Sequence, residues 1–285
     1  MAFQNISNPR VFLNLPEYSS SVSGTSISKL FRTIPVNANT VSGETSIPVV
    51  SSLTYTKPYV AFLGHNLASQ AVTWTGGDAT DIFNATSESF KKGFSIFEFA
   101  TTEIPTAFAL DTSATISSVV AGTYFDFPVN PDLSLSLEYQ YDGFKETTTR
   151  GGSTIINKFF SKPPLWGNGL GAWELGGGAA HSKSGRRIWN LNWSYLSDSA
   201  IWPTNAHLVN NDDENSTTNT LLDNDTIQRC IHLCNGGEIP FLFCSDGDNI
   251  RQDNMAIARF DMKSFKFSQV SMNTYNCKIR IKEIW

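Results

Sequence analysis

From Arg186 to Asp198 the chain reads RRIWNLNWSYLSD, and its side chains sort by parity. Successive side chains of a strand point to opposite faces. Ile188, Asn190, Asn192 and Ser194 therefore share one face, and Trp189, Leu191, Trp193 and Tyr195 share the other. Every large ring falls on one side and every amide on the opposite side. Such a strand turns its rings to a core and its polar groups to water, as in an antiparallel sheet with one face covered. Rings that stack on sugars or bases from an open platform are the competing reading. They sit more often on loops and strand ends, so parity favours the core. The same period returns in CKIRIKEI, where Cys277, Ile279 and Ile281 alternate with Lys278, Arg280 and Lys282.

The rest of the chain is written in the same short units. PRVFLNLP reads as a brief strand ended by Pro16, followed by a flexible Ser/Gly segment, SSSVSGTSIS. KPYVAFLGHNL reads as a buried strand running into a turn, and QAVTWTGGD as a strand closed by Gly76 and Gly77. FSIFEFA is apolar on both faces. TAFALD, SATISSVV, TYFDFPV and LSLSLEYQY follow at sandwich-like spacing. No helix is expected before residue 150. TLLDNDTIQRCIHLCNGG has apolar groups at helical spacing and an Asn235-Gly236 stop, which predicts one helix over about 220–235. EIPFLFCSD, MAIARFD, FKFSQVS and CKIRIKEI predict four closing strands. Aromatic residues are 12 % of the chain, with 20 Phe, so a core can be built from few large groups.

The expected fold class is mainly β, with two β-sandwich-type domains. KETTTRGGSTI is polar and contains Gly, and places a boundary between a domain over 1–147 and one over 148–285. The second domain carries the single helix packed on an antiparallel sheet. It also carries a Gly-rich arm over 165–182, and an acidic loop over 210–219. A loop as long as the arm is usually functional or an interface element.

The net charge is −5, which argues against nucleic acid as a partner. The N-terminus lacks the pattern of a signal peptide, and the longest apolar runs are strand-sized, so no membrane insertion is expected. The four cysteines, Cys230, Cys234, Cys244 and Cys277, read as small apolar core residues of a chain made in a reducing cytoplasm. Cys230 and Cys234 stand one helical turn apart, but packing onto the sheet is the simpler reading than zinc. Neither a metal nor a cofactor is expected. GNGLGA lacks the strand before and helix after that a dinucleotide loop requires. Asp246, Asp248 and Asp253 depart from the calcium-loop spacing.

Few residues remain as candidate sites. His65 and Asn66 follow a buried strand where a loop should begin, and Trp74 could complete a stacking surface near the same rim. Holding the turn by local hydrogen bonds is the other reading of the pair. Trp166, Trp173, Lys183, Arg186 and Arg187 are candidates for an assembly arm and for ion pairs to an acidic neighbour. No catalytic residue is proposed. Glu98, Asp126 and Glu138 are carboxylates on strands, and a hydrolase would need two of them to converge.

Taken in order, NPRVFLNLPEY, YVAFLGHNLAS, GRRIWNLNWSYLSD, PFLFCSDGDN with MAIARFD, and KIRIKEI resemble tail-associated structural proteins of tailed bacteriophages. The resemblance implies a galactose-binding-like (discoidin-like) N-terminal sandwich carrying the GHNL segment and a second β-domain. It implies a non-enzymatic role as tail or baseplate connector or fibre-attachment subunit. The partners would be other virion subunits and further copies in a ring or trimer. A chain of this kind would be made in host cytoplasm and end in the virion. A carbohydrate-binding module recognising host surface glycans through His65, Asn66 and Trp74 is the alternative.

Overall fold

The computed structural model describes residues 7–34, 38–48, 53, 55–67, 72–85, 93–100, 104–140, 144–158, 186–203, 225–250 and 254–284. The chain is mainly β, with large antiparallel sheets and few helices, of β-sandwich type.

The first half supplies β1 (Arg10–Phe12), β2 (Asn39–Ser46), β3 (Pro58–His65), β4 (Val72–Thr75), β5 (Ala79–Ala85), β6 (Gly93–Phe99), β7 (Ala107–Ile116), β8 (Ser118–Asp126) and β9 (Ser136–Gln140). A hairpin of β10 (Phe144–Thr148) and β11 (Thr154–Lys158) follows. Then come β12 (Arg186–Ser197), β13 (Phe241–Cys244), β14 (Met255–Phe260), β15 (Phe267–Ser271) and β16 (Thr274–Glu283). The helices are α1 (Leu15–Ser23), α2 (Asp198–Ile201) and α3 (Ile227–Leu233).

One sheet of 11 strands runs β5-β6-β3-β8-β1-β13-β14-β16-β12-β9, with β15 beside β16. It draws strands from both sides of the boundary expected at 147/148, since β1 pairs with β13 and β9 pairs with β12. The polar stretch expected to mark that boundary is itself the β10–β11 hairpin. A second sheet, β2-β7-β4, packs its Phe108 and Trp74 against Phe62 of the large sheet.

Strand pairing sorts the large sheet's side chains into two rows. Val60, Ala121, Val11, Phe243, Ala256, Ile281 and Trp189 belong to one core cluster, and Phe12, Ala61, Leu242, Tyr124 and Ile257 to another. Two ring pairs show that the sheet curls with the Trp189 row inside. Trp189 on β12 meets Phe243 on β13 at 5.0 Å, although β14 and β16 lie between them in strand order. Trp193 stacks on Phe127, just past β8, at 4.4 Å and 9°. Its indole N–H donates to the Val129 carbonyl at 2.9 Å, so a buried ring also has its polar atom satisfied.

Gly122 marks a close approach. A Cβ there would press on the Leu13 carbonyl and lie 2.9 Å from Leu15 Cγ. The chain therefore folds back over β8 only because this position has no side chain.

Four expectations are corrected. First, Leu15–Ser23 is a helix where a strand end and a flexible Ser/Gly segment were expected. Pro16 sits in its first turn, where a missing N–H costs nothing, and Gly24 ends it in the left-handed conformation at φ 69°. Second, the described helices are therefore three rather than one, and α3 covers Ile227–Leu233. Thr226 caps α3 by accepting from the Arg229 N–H at 3.2 Å. Residues 220–224 of the expected helix lie outside the described residues. Third, TAFALD and the SATI of SATISSVV form one strand, β7, whereas its SVV begins β8 and runs on into TYFD. Fourth, parity fails at Tyr195. The β12–β16 register shifts between Trp193 and Leu196, so Leu196 takes the core position. Tyr195 is 79 % exposed at φ 71°. An extra residue in a bulge reverses the alternation beyond it.

Candidate functional site

Three places in the fold could carry chemistry, and each is built from strand ends.

The first is the corner after β3. His65 closes a strand whose eight residues are all buried, and its ring is buried with them. Its Nδ1 accepts the Leu67 N–H at 3.2 Å, which leaves the ring proton on Nε2, 2.8 Å from Ser95 Oγ. Burial lowers its pKa to about 4, so the ring stays neutral and holds the turn. Asn66 is exposed, but its Oδ1 accepts the Thr115 N–H at 2.7 Å and its N–H donates to the Thr115 carbonyl at 3.1 Å. It thus ties the corner to β7. Trp74 is half-buried and meets Phe62, Phe97, Phe99 and Phe108 at 5.7, 5.1, 5.0 and 6.2 Å. His65 and Trp74 are engaged by protein groups, and Asn66 spends its backbone N–H and side-chain oxygen on β7.

The second is the basic start of β12. Arg187 points to the inside row and is buried directly across from Glu283 of β16. The Glu283 carboxylate accepts from Arg187 Nε at 3.0 Å, Nη2 at 2.9 Å and the backbone N–H at 3.0 Å. Nη2 also donates to the Met255 carbonyl at 2.6 Å, and the guanidinium lies 5.0 Å from the Trp189 ring. Arg187, an arm candidate by sequence, is thus buried, with its guanidinium bonded to Glu283 and Met255 inside the fold. Arg186 points to the outer row and is half-buried. Trp166, Trp173 and Lys183, with the 165–182 arm, lie outside the described residues, as does the 210–219 loop.

The third place was not legible in the sequence. Arg10 begins β1, Lys57 precedes β3, Asp126 ends β8 and Asp225 precedes α3. Asp126 receives Arg10 Nε at 2.5 Å and Lys57 Nζ at 3.0 Å, and Lys57 reaches Asp225 at 3.2 Å. Arg10 stacks on the Tyr124 ring at 4.2 Å, and the Tyr124 hydroxyl donates to Glu98. Burial, then the Glu98 contact, raises the Tyr124 pKa, so the phenol stays protonated. Burial works against the Lys57 ammonium, but Asp126 and Asp225 outweigh it and leave its pKa raised. Burial raises the Asp225 pKa against the pull of Lys57.

Comparisons with family models, curated proteins and solved structures return no match.

Two of the three strand carboxylates, Glu98 and Asp126, thus meet around Tyr124. Glu138 does not: it lies at the β9 edge with Asn190 at 2.8 Å and Arg280 at 3.8 Å. Asp126 is held by two cations and Glu98 by a phenol, so the cluster joins five chain segments, and its described carboxylates are all engaged. Its signal in sequence is only a cation before each of two apolar strands. Nothing local says that those strands lie next to β8.

Among the described residues no group of three or more His, Cys, Asp or Glu could hold a metal. The four cysteines are free and buried, and burial pushes Cys244 and Cys277 up to about 12. No described helix is long and apolar enough to cross a membrane.

Proposed function

We propose that the chain is a non-enzymatic structural component of a tailed bacteriophage virion, acting as a tail or baseplate connector or fibre-attachment subunit. One observation carries this reading beyond the sequence resemblance. Three described rings that could serve a ligand close on protein instead: Trp189 on Phe243, Trp193 on Phe127, and Trp74 on four phenylalanines. A β-scaffold that spends its rings inside is built to hold shape, and its contacts must come from edges and outer faces. The glycan-binding alternative rested on His65, Asn66 and Trp74, and their internal partners leave it without a supporting observation.

Mass spectrometry and electron microscopy of purified particles test the proposal. The chain is expected at a fixed copy number in the tail, and its deletion is expected to leave particles with incomplete tails. Complete, infectious particles lacking the chain would refute it.

A further inference from the structure

The outer row of the curled sheet carries a concentration of positive charge, most of it without an ion-pair partner among the described residues. Lys278, Arg280 and Lys282 alternate along β16 with the buried Ile279 and Ile281. Arg280 is balanced by Asp261 at 3.2 Å and Glu138 at 3.8 Å. Lys278, Lys282 and Arg259 have no ion-pair partner among the described residues. Arg259 of β14 stands directly opposite Lys282. Like charges facing each other across two strands are destabilising. The fold tolerates here a repulsion that a bound anionic surface would relieve.

An opposite surface exists on the same chain. β2, β4 and β7 contain no Lys or Arg. Phe108 and Trp74 turn inward, so Glu44, across from Ala109 of β7, which Thr73 flanks on its other side, turns outward. Asp111 stands exposed where β7 bulges, and Asp78 is exposed just after β4. None of the three has an ion-pair partner among the described residues. Glu44 receives only the Thr75 hydroxyl, at 3.3 Å.

The two surfaces belong to different sheets of the chain, and no described ion pair joins them. The acidic sheet packs its inner side on Phe62 of β3, near one end of the large sheet's strand order. The basic row lies on the outer side of β14 and β16, towards the other end. We infer that copies of this chain associate head to tail, with the Arg259–Lys278–Lys282 face of one against the Glu44–Asp78–Asp111 face of the next. Such a contact joins unlike patches, so it propagates until a ring closes or a filament grows. The inference rests on the assembly reading above and names the surfaces that would serve it.

Light scattering and sedimentation of the full chain over a range of concentrations read the association directly. Three charge pairs at an interface rim predict that each single-face reversal, R259E/K278E/K282E or E44K/D78K/D111K, raises the association midpoint roughly tenfold or more. Carrying both reversals in one chain, or mixing the two single-face variants in equal amounts, is expected to restore association. Added salt is expected to weaken wild type and the doubly reversed chain alike. A monomeric wild type, an unaffected single-face variant, or a doubly reversed chain that stays monomeric would each overturn the inference. So would binding of soluble polyphosphate to the basic face in a chain that never self-associates. A chain found in particles yet monomeric in these measurements refutes the head-to-tail contact and leaves the virion role standing.

Discussion

Replacing Glu283 with Ala isolates a buried, hydrogen-bonded ion pair in the second half of the chain. The Arg187 and Glu283 side chains are 5 % and 2 % exposed, and the carboxylate accepts three hydrogen bonds from Arg187. Removing one member of a buried pair leaves the other charged and desolvated, which costs about 3–5 kcal/mol. Replacing both members by apolar groups of similar volume is often near neutral, because neither charge is then taken out of water. Arg187→Met with Glu283→Leu is therefore expected to recover most of the loss, short of about 1–3 kcal/mol for the orphaned Arg187 N–H. Urea unfolding followed by tryptophan fluorescence measures both, and Trp189, 5.0 Å from the guanidinium, reports locally. The expected signature is a lowered midpoint with little change in slope, insensitive to added salt. A loss below about 1 kcal/mol for Glu283→Ala, or a double variant worse than the single, would contradict the buried-pair reasoning.

Two further outcomes follow from single residues. His65 is neutral in the fold with a pKa of about 4 against 6.5 unfolded, so its contribution is complete above pH 6.5 and falls away as pH drops toward 4, by about 3 kcal/mol in all. Thermal unfolding across that window should lose its dependence on this group in His65→Gln, and an unchanged profile would remove His65 as the source. Tyr195 holds a left-handed backbone that Asn tolerates better, so Tyr195→Asn is expected to raise stability by about 0.5–1 kcal/mol, while Leu196→Ala lowers it by about 2–5 kcal/mol. Loss of stability in Tyr195→Asn by chemical denaturation would show that the exposed ring is packed after all.

What the sequence discloses follows from the range of the forces involved. Parity is a property of consecutive residues, so the core faces of β12 and β16 could be read directly: Trp189, Leu191, Trp193, Cys277, Ile279 and Ile281 are all buried. The bulge at Tyr195 could not, because it depends on Asp132, whose carboxylate accepts from the Ser194 N–H at 3.3 Å and hydroxyl at 2.7 Å. That partner lies far away in sequence. The α1 helix carries its signals in the sequence, Pro16 in the first turn and Gly24 beyond the last, but the Ser-rich composition between them reads equally as a linker. At the corner after β3 the residues were found and the alternative reading, turn-holding hydrogen bonds, is the one that the geometry matches. The Arg10–Asp126–Lys57–Asp225 clamp draws on four distant segments, and only the strand order β3-β8-β1 brings three of them together.

The division between inner and outer rows also explains why the charges sit where they do. On β16 the inward positions take Ile279, Ile281 and finally Glu283, which is admitted to the interior only because Arg187 faces it. The outward positions take Lys278, Arg280 and Lys282, and among the described residues only the middle one is neutralised. A strand selected for stability alone would pair the outer cations across β14 and β12 with acids, each contributing about 0.2–1 kcal/mol. Instead β14 places Arg259 opposite Lys282, and β12 places Asn192 and Asn190 opposite Lys278 and Arg280. The interior of this strand is thus optimised against water, whereas its exterior is unbalanced among the described residues. Among the described residues, an imbalance at the solvent-facing cations of β14 and β16 is the pattern expected when those positions are shaped by a contact outside the chain.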